Sequence, residues 1–291
     1  MASSESQNEA EISRSNPTCF LFLVDQSGSM GKPWGKELNK TKAEGVADVL
    51  NRLIYTLIDR CSRGMEIWDY YHLGVIGYGG DRQDPNYVGL GFPSESLAGN
   101  VLWPVSQIGQ HPLRIEQRTK RVSDGAGGLV DQQIDFPIWF DPVALGRTPM
   151  CLALKTAHEV ISGFVNEHPA CYPPVIFNIA DGSSTDGDPM PFATALKNIA
   201  PGGRNVTLLN IHISSQCANP FIFPNSEAGL PDKSAQRLFQ MASPLPPEMI
   251  QRAQLEELIL AEGARGFAFN ADLESVIRLL DIGTRVGPSA H

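Results

Sequence analysis

Residues 19–25 of this 291-residue chain read CFLFLVD and are followed by Gln26-Ser27-Gly28-Ser29, and this segment is the most informative about the fold. Six consecutive apolar residues are typical of a strand buried on both faces of a parallel sheet, because both of its side-chain rows pack against protein. The run then passes directly into Asp25, Ser27 and Ser29, whose side chains carry oxygen. Open α/β sheets bind ligands at the carboxyl ends of their strands. We therefore expect a ligand site to begin at Asp25.

Apolar runs and helical patterns alternate along the rest of the chain. Further buried strands are predicted at Tyr71–Tyr78, Val175–Ala180, 206–213 and 266–269. Helices are predicted at 36–60, from Thr148-Pro149 to about Phe164, and at 191–199, 234–241, 248–261 and 273–285. This alternation predicts an α/β fold with a doubly wound, mostly parallel central sheet, one antiparallel edge strand and helices on both faces.

The domain organisation is predicted to be one domain, residues 17–286, between two short tails. Residues 1–16 are rich in Ser, Glu, Asn and Gln and are expected to form a disordered tail, and residues 287–291 a C-terminal tail. Two insertions interrupt the pattern. Residues 81–136, rich in Gly, Pro, Asp and Gln, are expected to form edge strands, a hairpin and loops, and residues 216–247 to hold one short helix.

Composition excludes several classes of protein. The net charge is −9 and no run of lysines or arginines occurs, so neither nucleic acid nor an anionic membrane surface is an expected partner. No stretch approaches the roughly 18 apolar residues of a membrane span, and no secretory signal is evident. The five cysteines are scattered without a C-x-x-C pair, which favours reduced thiols in a cytoplasmic protein.

Two further loops are expected to meet the first one at the same edge of the sheet. Thr148 precedes the second long helix, and Asp181 follows the strand Val175–Ala180. Together the loops offer two carboxylates and three hydroxyls, and all-oxygen ligands suit a hard cation. Few carboxylates, with water in the remaining positions, suit Mg²⁺ better than Ca²⁺.

The arrangement resembles the metal-ion-dependent adhesion site (MIDAS) of von Willebrand factor A-type (VWA) domains. Asp25-x-Ser27-x-Ser29 follows an apolar strand, Thr148 lies in GRTPM, and Asp181 lies in IADGSSTDG, so all five motif positions are present. The resemblance covers residues 17–285. The sequence segments VDQSGSM, RTPM and ADG are similar to those of bacterial cytoplasmic VWA proteins of the tellurite-resistance and kinase–phosphatase-associated type.

The resemblance implies a metal site and a kind of partner. Ser27, Ser29 and Thr148 would bind Mg²⁺ or Mn²⁺ directly, while Asp25 and Asp181 would hold it mostly through water. The open position on the metal would take an Asp or Glu carboxylate of a partner protein. The expected function is a non-enzymatic interaction module in a bacterial signalling or stress-response system, with a kinase, phosphatase or ATPase as an associate.

Other functions are compatible with the same residues. A metal-assisted hydrolase or phosphatase could use the same ion as a Lewis acid, although no base is evident beside the serines and no P-loop, G-x-S-x-G or H-E-x-x-H motif occurs. Alternatively, the metal could only tie the three loops together. A simpler interpretation is that Asp25 and Ser27 cap a helix.

Five further residues are candidates for the rim of the site or for packing. Asp186 and Asp188 are expected to be turn residues, with Asp188 capping the next helix. His72 and His212 lie in predicted strands and are expected to belong to the core or the sheet edge. Trp34 is expected to pack, with a partner groove as the alternative.

Overall fold

The structure, a computed structural model, describes residues 12–34, 37–123, 128–214, 220–270 and 273–284. The strands of these ranges are β1 (Thr18–Asp25), β2 (Pro33–Trp34), β3 (Glu37–Thr41), β4 (Ser62–Arg63), β5 (Glu66–Ile67), β6 (Tyr71–Tyr78), β7 (Val88–Leu90), β8 (Leu102–Pro104), β9 (Arg114–Ser123), β10 (Leu129–Ile138), β11 (Val175–Ala180), β12 (Thr207–His212), β13 (Phe221–Ile222) and β14 (Phe267–Phe269). The α-helices are α1 (Lys42–Cys61), α2 (Val105–Gln110), α3 (Met150–Glu167), α4 (Met190–Lys197), α5 (Lys233–Met241), α6 (Pro247–Leu255) and α7 (Leu273–Thr284).

Within the described residues, the central sheet has eight strands in the order β13-β14-β12-β11-β1-β6-β7, with β8 also paired to β6. The five strands from β14 to β6 are parallel. The predicted fold class is confirmed. One antiparallel edge strand was expected, but both edges of the sheet carry short antiparallel strands: β13 pairs with β14, and β7 and β8 pair with β6. Strand order reverses at β1, so the switch point lies between β1 and β11.

The two faces of the sheet carry separate hydrophobic cores, and β1 contributes to both. Its even-numbered residues from Phe20 to Val24 join the core beneath α1, α2, α6 and α7. Its odd-numbered residues from Cys19 to Leu23 join the core beneath α3, α4 and α5. Every residue of β1 is buried, which follows from the alternation of side chains along a strand covered on both faces.

Two predicted helices have different bounds in the structure. The helix expected at 36–60 begins at Lys42, because a capping box between Thr41 and Glu44 starts it there and Glu37–Thr41 pairs with β2. The helix expected at 248–261 ends at Leu255. Glu257 adopts a φ of 60°, in the left-handed region that an α-helix does not enter.

The insertion at 81–136 contains β7, β8, α2, β9 and most of β10. The expected hairpin is present as β9 and β10, whereas α2 was not predicted. The hairpin packs on α1 through Phe136, whose ring centroid is 5.6 Å from that of Tyr55. The Arg118 guanidinium lies over the Phe136 ring, 4.1 Å from its centroid, and donates to Asp48 at 2.7 Å. The insertion is therefore anchored to the domain.

A buried chain of hydrogen bonds joins the strands on both sides of β1. The Tyr78 hydroxyl donates to Asn178 Oδ1 at 2.8 Å, Asn178 Nδ2 donates to Asn210 Oδ1 at 2.8 Å, and Asn210 Nδ2 donates to the Leu238 carbonyl at 3.0 Å. Buried polar groups need such partners. The chain thus connects β6, β11, β12 and α5 near the switch point.

Several sequence predictions concern parts of the chain outside the described residues. Residues 1–11 of the predicted N-terminal tail and the predicted C-terminal tail, 287–291, lie outside them, as do residues 215–219. Cys19, Cys61, Cys151 and Cys171 are buried free thiols. No helix in the described part of the chain has the length and apolarity needed to cross a membrane.

Candidate metal centre at the switch point

Asp25 and Asp181 lie at the carboxyl ends of two neighbouring parallel strands. Asp25 is the last residue of β1, and Asp181 directly follows β11. Asp25 Oδ1 accepts a hydrogen bond from the Ser27 amide at 2.8 Å, and its Oδ2 is 3.5 Å from the Asp181 amide nitrogen. The predicted convergence of these two loops is therefore present.

The two serines connect to Asp181 through their hydroxyls. Ser27 Oγ and Ser29 Oγ are 2.9 Å apart, and Ser29 Oγ donates to Asp181 Oδ1 at 2.7 Å. Ser27 begins a short 3₁₀ turn, Gly28–Gly31, but its side chain makes no capping hydrogen bond. The interpretation of Ser27 as a helix cap is therefore wrong, and its hydroxyl belongs to the polar cluster.

Thr148 enters the site in a third loop. This loop is fixed to the first by two backbone hydrogen bonds, from Leu145 to Gln26 at 2.7 Å and from Gly28 to Gly146 at 3.2 Å. Thr148 itself is buried, and Thr185 bonds its backbone amide at 3.1 Å. Within the described part of the chain, its hydroxyl makes no hydrogen bond to Asp25, Asp181 or either serine.

Close approach of the third loop requires a glycine at the end of β6. Gly79 has a φ of 87°, and a Cβ placed on it would lie 1.7 Å from the Arg147 carbonyl oxygen. Only glycine combines this conformation with so short a distance. The backbone around Gly79 therefore permits Thr148 to reach the edge of the sheet beside Asp25.

Lys42 was not among the residues selected from the sequence, yet it contacts the cluster directly. Its Nζ lies 2.9 Å from Asp181 Oδ2, and the two side chains are only 3% and 2% exposed. Lysine is rarely so buried unless it is paired. The sequence offered no signal, since a lysine in the first turn of an amphipathic helix is ordinarily a solvated surface residue.

Charge and burial perturb Asp25. Burial, followed by the negative charge of Asp181, raises the pKa of Asp25 to about 7, and hydrogen bonds from Ser27 partly oppose this rise. Two carboxyl groups that lie close together in a buried position repel each other when both are charged, so a nearby cation stabilises their charged forms. The ammonium group of Lys42 is one such cation.

Asp186 and Asp188 organise the loop that follows Asp181. Asp186 accepts hydrogen bonds from the backbone amides of Cys151 and Leu152 at 3.0 and 2.9 Å, so it caps the first turn of α3 from a separate loop, a role that its sequence position does not predict. Asp188 Oδ1 accepts from the Met190 amide at 3.1 Å, two residues on, as expected of a turn residue, but Pro189 rather than Asp188 is the N-cap of α4.

The other candidate residues pack against neighbouring side chains. Trp34 is buried and packs on α1, where Gly45 leaves space for its ring. His212 stacks on Phe269 with ring centroids 5.0 Å apart. His72 is half-buried against Phe164. These positions agree with the expectation of packing.

The donor set of the cluster suits a hard cation. Among the described residues, no three or more His, Cys, Asp and Glu side chains cluster in a way that could hold a metal. The switch point instead offers carboxylate oxygens together with serine hydroxyls, which are ligands of Mg²⁺ and Mn²⁺ rather than of softer ions. The chemistry of the residues present therefore fits the predicted metal.

The fold and this cluster define a doubly wound α/β protein with a buried, oxygen-rich polar cluster at its switch point. No family profile and no curated protein sequence matches the chain. In structure it is similar to the manganese-loaded TRAP protein of Plasmodium vivax, at 16% identity and a TM-score of 0.42, over 91% of this chain and 72% of that one.

Two further solved structures are similar. One is proximal thread matrix protein 1 of the mussel byssus, at 14% identity and a TM-score of 0.44, over 92% of this chain and 47% of the mussel protein. The other is the ArnB paralog VWA2 of Sulfolobus acidocaldarius, at 13% identity and a TM-score of 0.28, over 68% of this chain and 35% of that one. This chain therefore spans half or less of the length of both proteins.

Proposed function

We propose that this chain is a VWA-type module that binds a divalent metal ion and uses the metal to bind an acidic residue of a partner protein. The proposed metal-binding residues are Asp25, Ser27, Ser29, Thr148 and Asp181. The observation that carries the proposal is the hydrogen-bonded series from Ser27 through Ser29 to Asp181, directly beside Asp25 at the switch point.

The proposed roles follow from the chemistry of the side chains. Serine and threonine hydroxyls are neutral, so direct binding through them leaves most of the metal's charge uncompensated. Asp25 and Asp181 would act mostly through water. A Mg²⁺ or Mn²⁺ ion held in this way supplies a strong Lewis acid for an incoming carboxylate. The partner is therefore expected to present an exposed Asp or Glu side chain.

The proposed setting is a bacterial cytoplasmic signalling or stress-response system, with a kinase, phosphatase or ATPase as an associate. The net charge of −9 and the absence of a basic run in the sequence argue against a nucleic acid or an anionic membrane as the partner. The four described cysteines are free thiols, in keeping with a reducing compartment.

We further propose that the module has no catalytic activity. A serine nucleophile needs a base, and Asp181 is the residue that accepts a hydrogen bond from Ser29. Its other oxygen is paired with Lys42 at 2.9 Å, so Asp181 is engaged in binding within the cluster and no separate base among the described residues stands beside the serines. The alternative of a metal-assisted hydrolase would be supported by Mg²⁺-dependent turnover of phosphate or acyl esters.

The decisive experiment is calorimetric titration of Mg²⁺ and of Mn²⁺ into metal-free protein. Wild type is expected to bind one ion, and Asp25→Asn is expected to weaken binding about tenfold or more, because a charged group beside the ion is lost. Asp84→Asn is the matched control, since Asp84 is an exposed residue in a loop that follows β6. Equal binding by wild type and Asp25→Asn would refute the site.

An acidic peptide separates recognition from a purely structural metal. With metal present, an Asp- or Glu-containing peptide should bind wild type, and a chelator should abolish the binding. A metal that only joins the loops would raise the thermal stability of the protein and leave peptide binding undetectable.

A further inference from the structure

Lys42 holds an unusual position for a lysine. It is the first residue of α1, where the helix dipole disfavours a positive charge. Its backbone amide donates to the Lys32 carbonyl at 3.0 Å, which fixes the start of the helix against the loop that contains Ser29. The side chain is nevertheless directed into the protein, and the ammonium group is as buried as the carboxylate it contacts. An ion pair in this place therefore needs a specific explanation.

The ammonium group contacts the cluster through Asp181. One oxygen of Asp181 accepts from Ser29 at 2.7 Å, and the other accepts from Lys42 at 2.9 Å. Both oxygens are therefore engaged within the protein. Lys42 supplies one positive charge to Asp181, the carboxyl group beside Asp25, and it thereby performs part of the electrostatic role of a bound cation.

We propose that Lys42 is a tethered competitor of the divalent metal. In the metal-free protein its ammonium group holds Asp181 and keeps the cluster assembled. When a metal ion binds, Nζ withdraws from Asp181 Oδ2, because two cations close to one carboxylate repel each other in a buried position. This inference rests on the proposed function. Its consequence is that the chain itself sets a weak metal affinity while preserving the geometry of the site.

The test removes the charge of Lys42 and measures the affinity for Mn²⁺ alone. Lys42→Met keeps an unbranched, flexible side chain one atom shorter than lysine, and Lys42→Gln keeps a hydrogen-bond donor. Both variants are expected to bind Mn²⁺ about tenfold or more tightly than wild type, as followed by calorimetry and by the paramagnetic resonance signal of free Mn²⁺. The metal-free variants should also have a lower melting temperature, and Mn²⁺ should raise it by more than in wild type.

Lys40→Met is the matched control. Lys40 carries the same charge two residues earlier, but it is 36% exposed and pairs with Asp48 rather than with the cluster. Its Mn²⁺ affinity should stay within about twofold of wild type, since exposed charges interact weakly across solvent.

The outcomes separate this inference from the function on which it rests. If wild type and both Lys42 variants bind Mn²⁺ with equal affinity, or the variants bind more weakly, Lys42 is not a competitor and the metal site stands. If no form binds Mn²⁺, the proposed metal-dependent function is refuted and the inference with it. If Lys42→Met folds only when Mn²⁺ is present, Lys42 replaces the metal in stabilising the cluster, as proposed.

Discussion

At the scale of single residues, Asp186 shows how one side chain fixes a loop beside the site. It accepts hydrogen bonds from Ser184 at 2.6 Å and from the first amides of α3. Although burial raises the pKa of Asp186, these hydrogen bonds leave it below its ordinary value. The carboxylate thereby joins the loop after Asp181 to the helix that follows Thr148.

Replacing Asp186 by alanine should destabilise the protein. Asp186→Ala removes a charged acceptor from the free amides of Cys151 and Leu152, and the free energy of unfolding should fall by about 1–2 kcal/mol. Urea denaturation at pH 7 measures the change. Glu159→Ala is the control, since Glu159 is an exposed residue of the same helix. A loss of equal size in both variants would contradict the capping role.

At the scale of secondary-structure elements, α1 connects the site to the core. Its first turn holds Lys42 at the cluster, and its buried face packs on the sheet. Thr41 Oγ1 accepts from the Glu44 amide at 3.2 Å, and Glu44 Oε2 accepts from the Thr41 amide at 2.7 Å. This reciprocal pair determines where the helix begins.

Thr41→Ala should therefore weaken the start of α1. We expect the free energy of unfolding to fall by about 1 kcal/mol, because the first turn loses a partner for an unsatisfied amide. Thr56→Ala in the interior of the same helix serves as the comparison. Its hydroxyl bonds the Arg52 carbonyl, and alanine there should be neutral or stabilising. Equal destabilisation by the two changes would argue against the capping box.

At the scale of the whole molecule, protonation of one histidine of the central sheet is expected to lower the stability of the protein in acid. His72 on β6 lies against Phe164 and His168 of the α3 region, with ring centroids 5.2 and 5.3 Å away. Burial, and then the charge of His168, lower the pKa of His72 to about 4, while Asp69 opposes the shift. Its Nδ1 is buried and makes no hydrogen bond within the described residues.

The sign of the resulting pH dependence follows from proton binding. The unfolded chain binds a proton at this histidine below about pH 6.5, whereas the folded protein binds it only near pH 4. The free energy of unfolding should therefore fall as pH decreases from about 6.5 to about 4, by on the order of 2–3 kcal/mol from His72. Below about pH 4 this contribution should change no further.

His72→Phe should remove that part of the acid sensitivity. The variant keeps a ring in contact with Phe164 but cannot titrate, so its stability should fall less than that of wild type between pH 7 and pH 4.5. His158→Phe on α3 is the control, because it makes the same replacement of histidine by phenylalanine at a different position. Parallel pH profiles of wild type and His72→Phe in urea denaturation would show that His72 does not contribute.

The fold class and the order of the strands and helices could be predicted because apolar runs and helical periodicity are local features of the sequence. Tyr71–Tyr78 and Val175–Ala180 have the predicted bounds, because a strand buried on both faces requires an uninterrupted apolar run. The start of α1 was placed six residues early, since the strand Glu37–Thr41 depends on pairing with β2. The short helix α2, inside a polar insertion, was missed.

The doubly wound sheet, and the position of Asp25, Ser27, Ser29 and Asp181 at one edge of it, can be predicted from the sequence, because strand ends are set by local hydrophobicity and parallel strands share their direction. The contacts among these residues and the position of Lys42 in the cluster depend on the packing of the whole fold. Lys42 and Asp181 are 139 positions apart. An ion pair between residues so far apart in the chain depends on how α1 packs on the sheet, so no local sequence pattern predicts it.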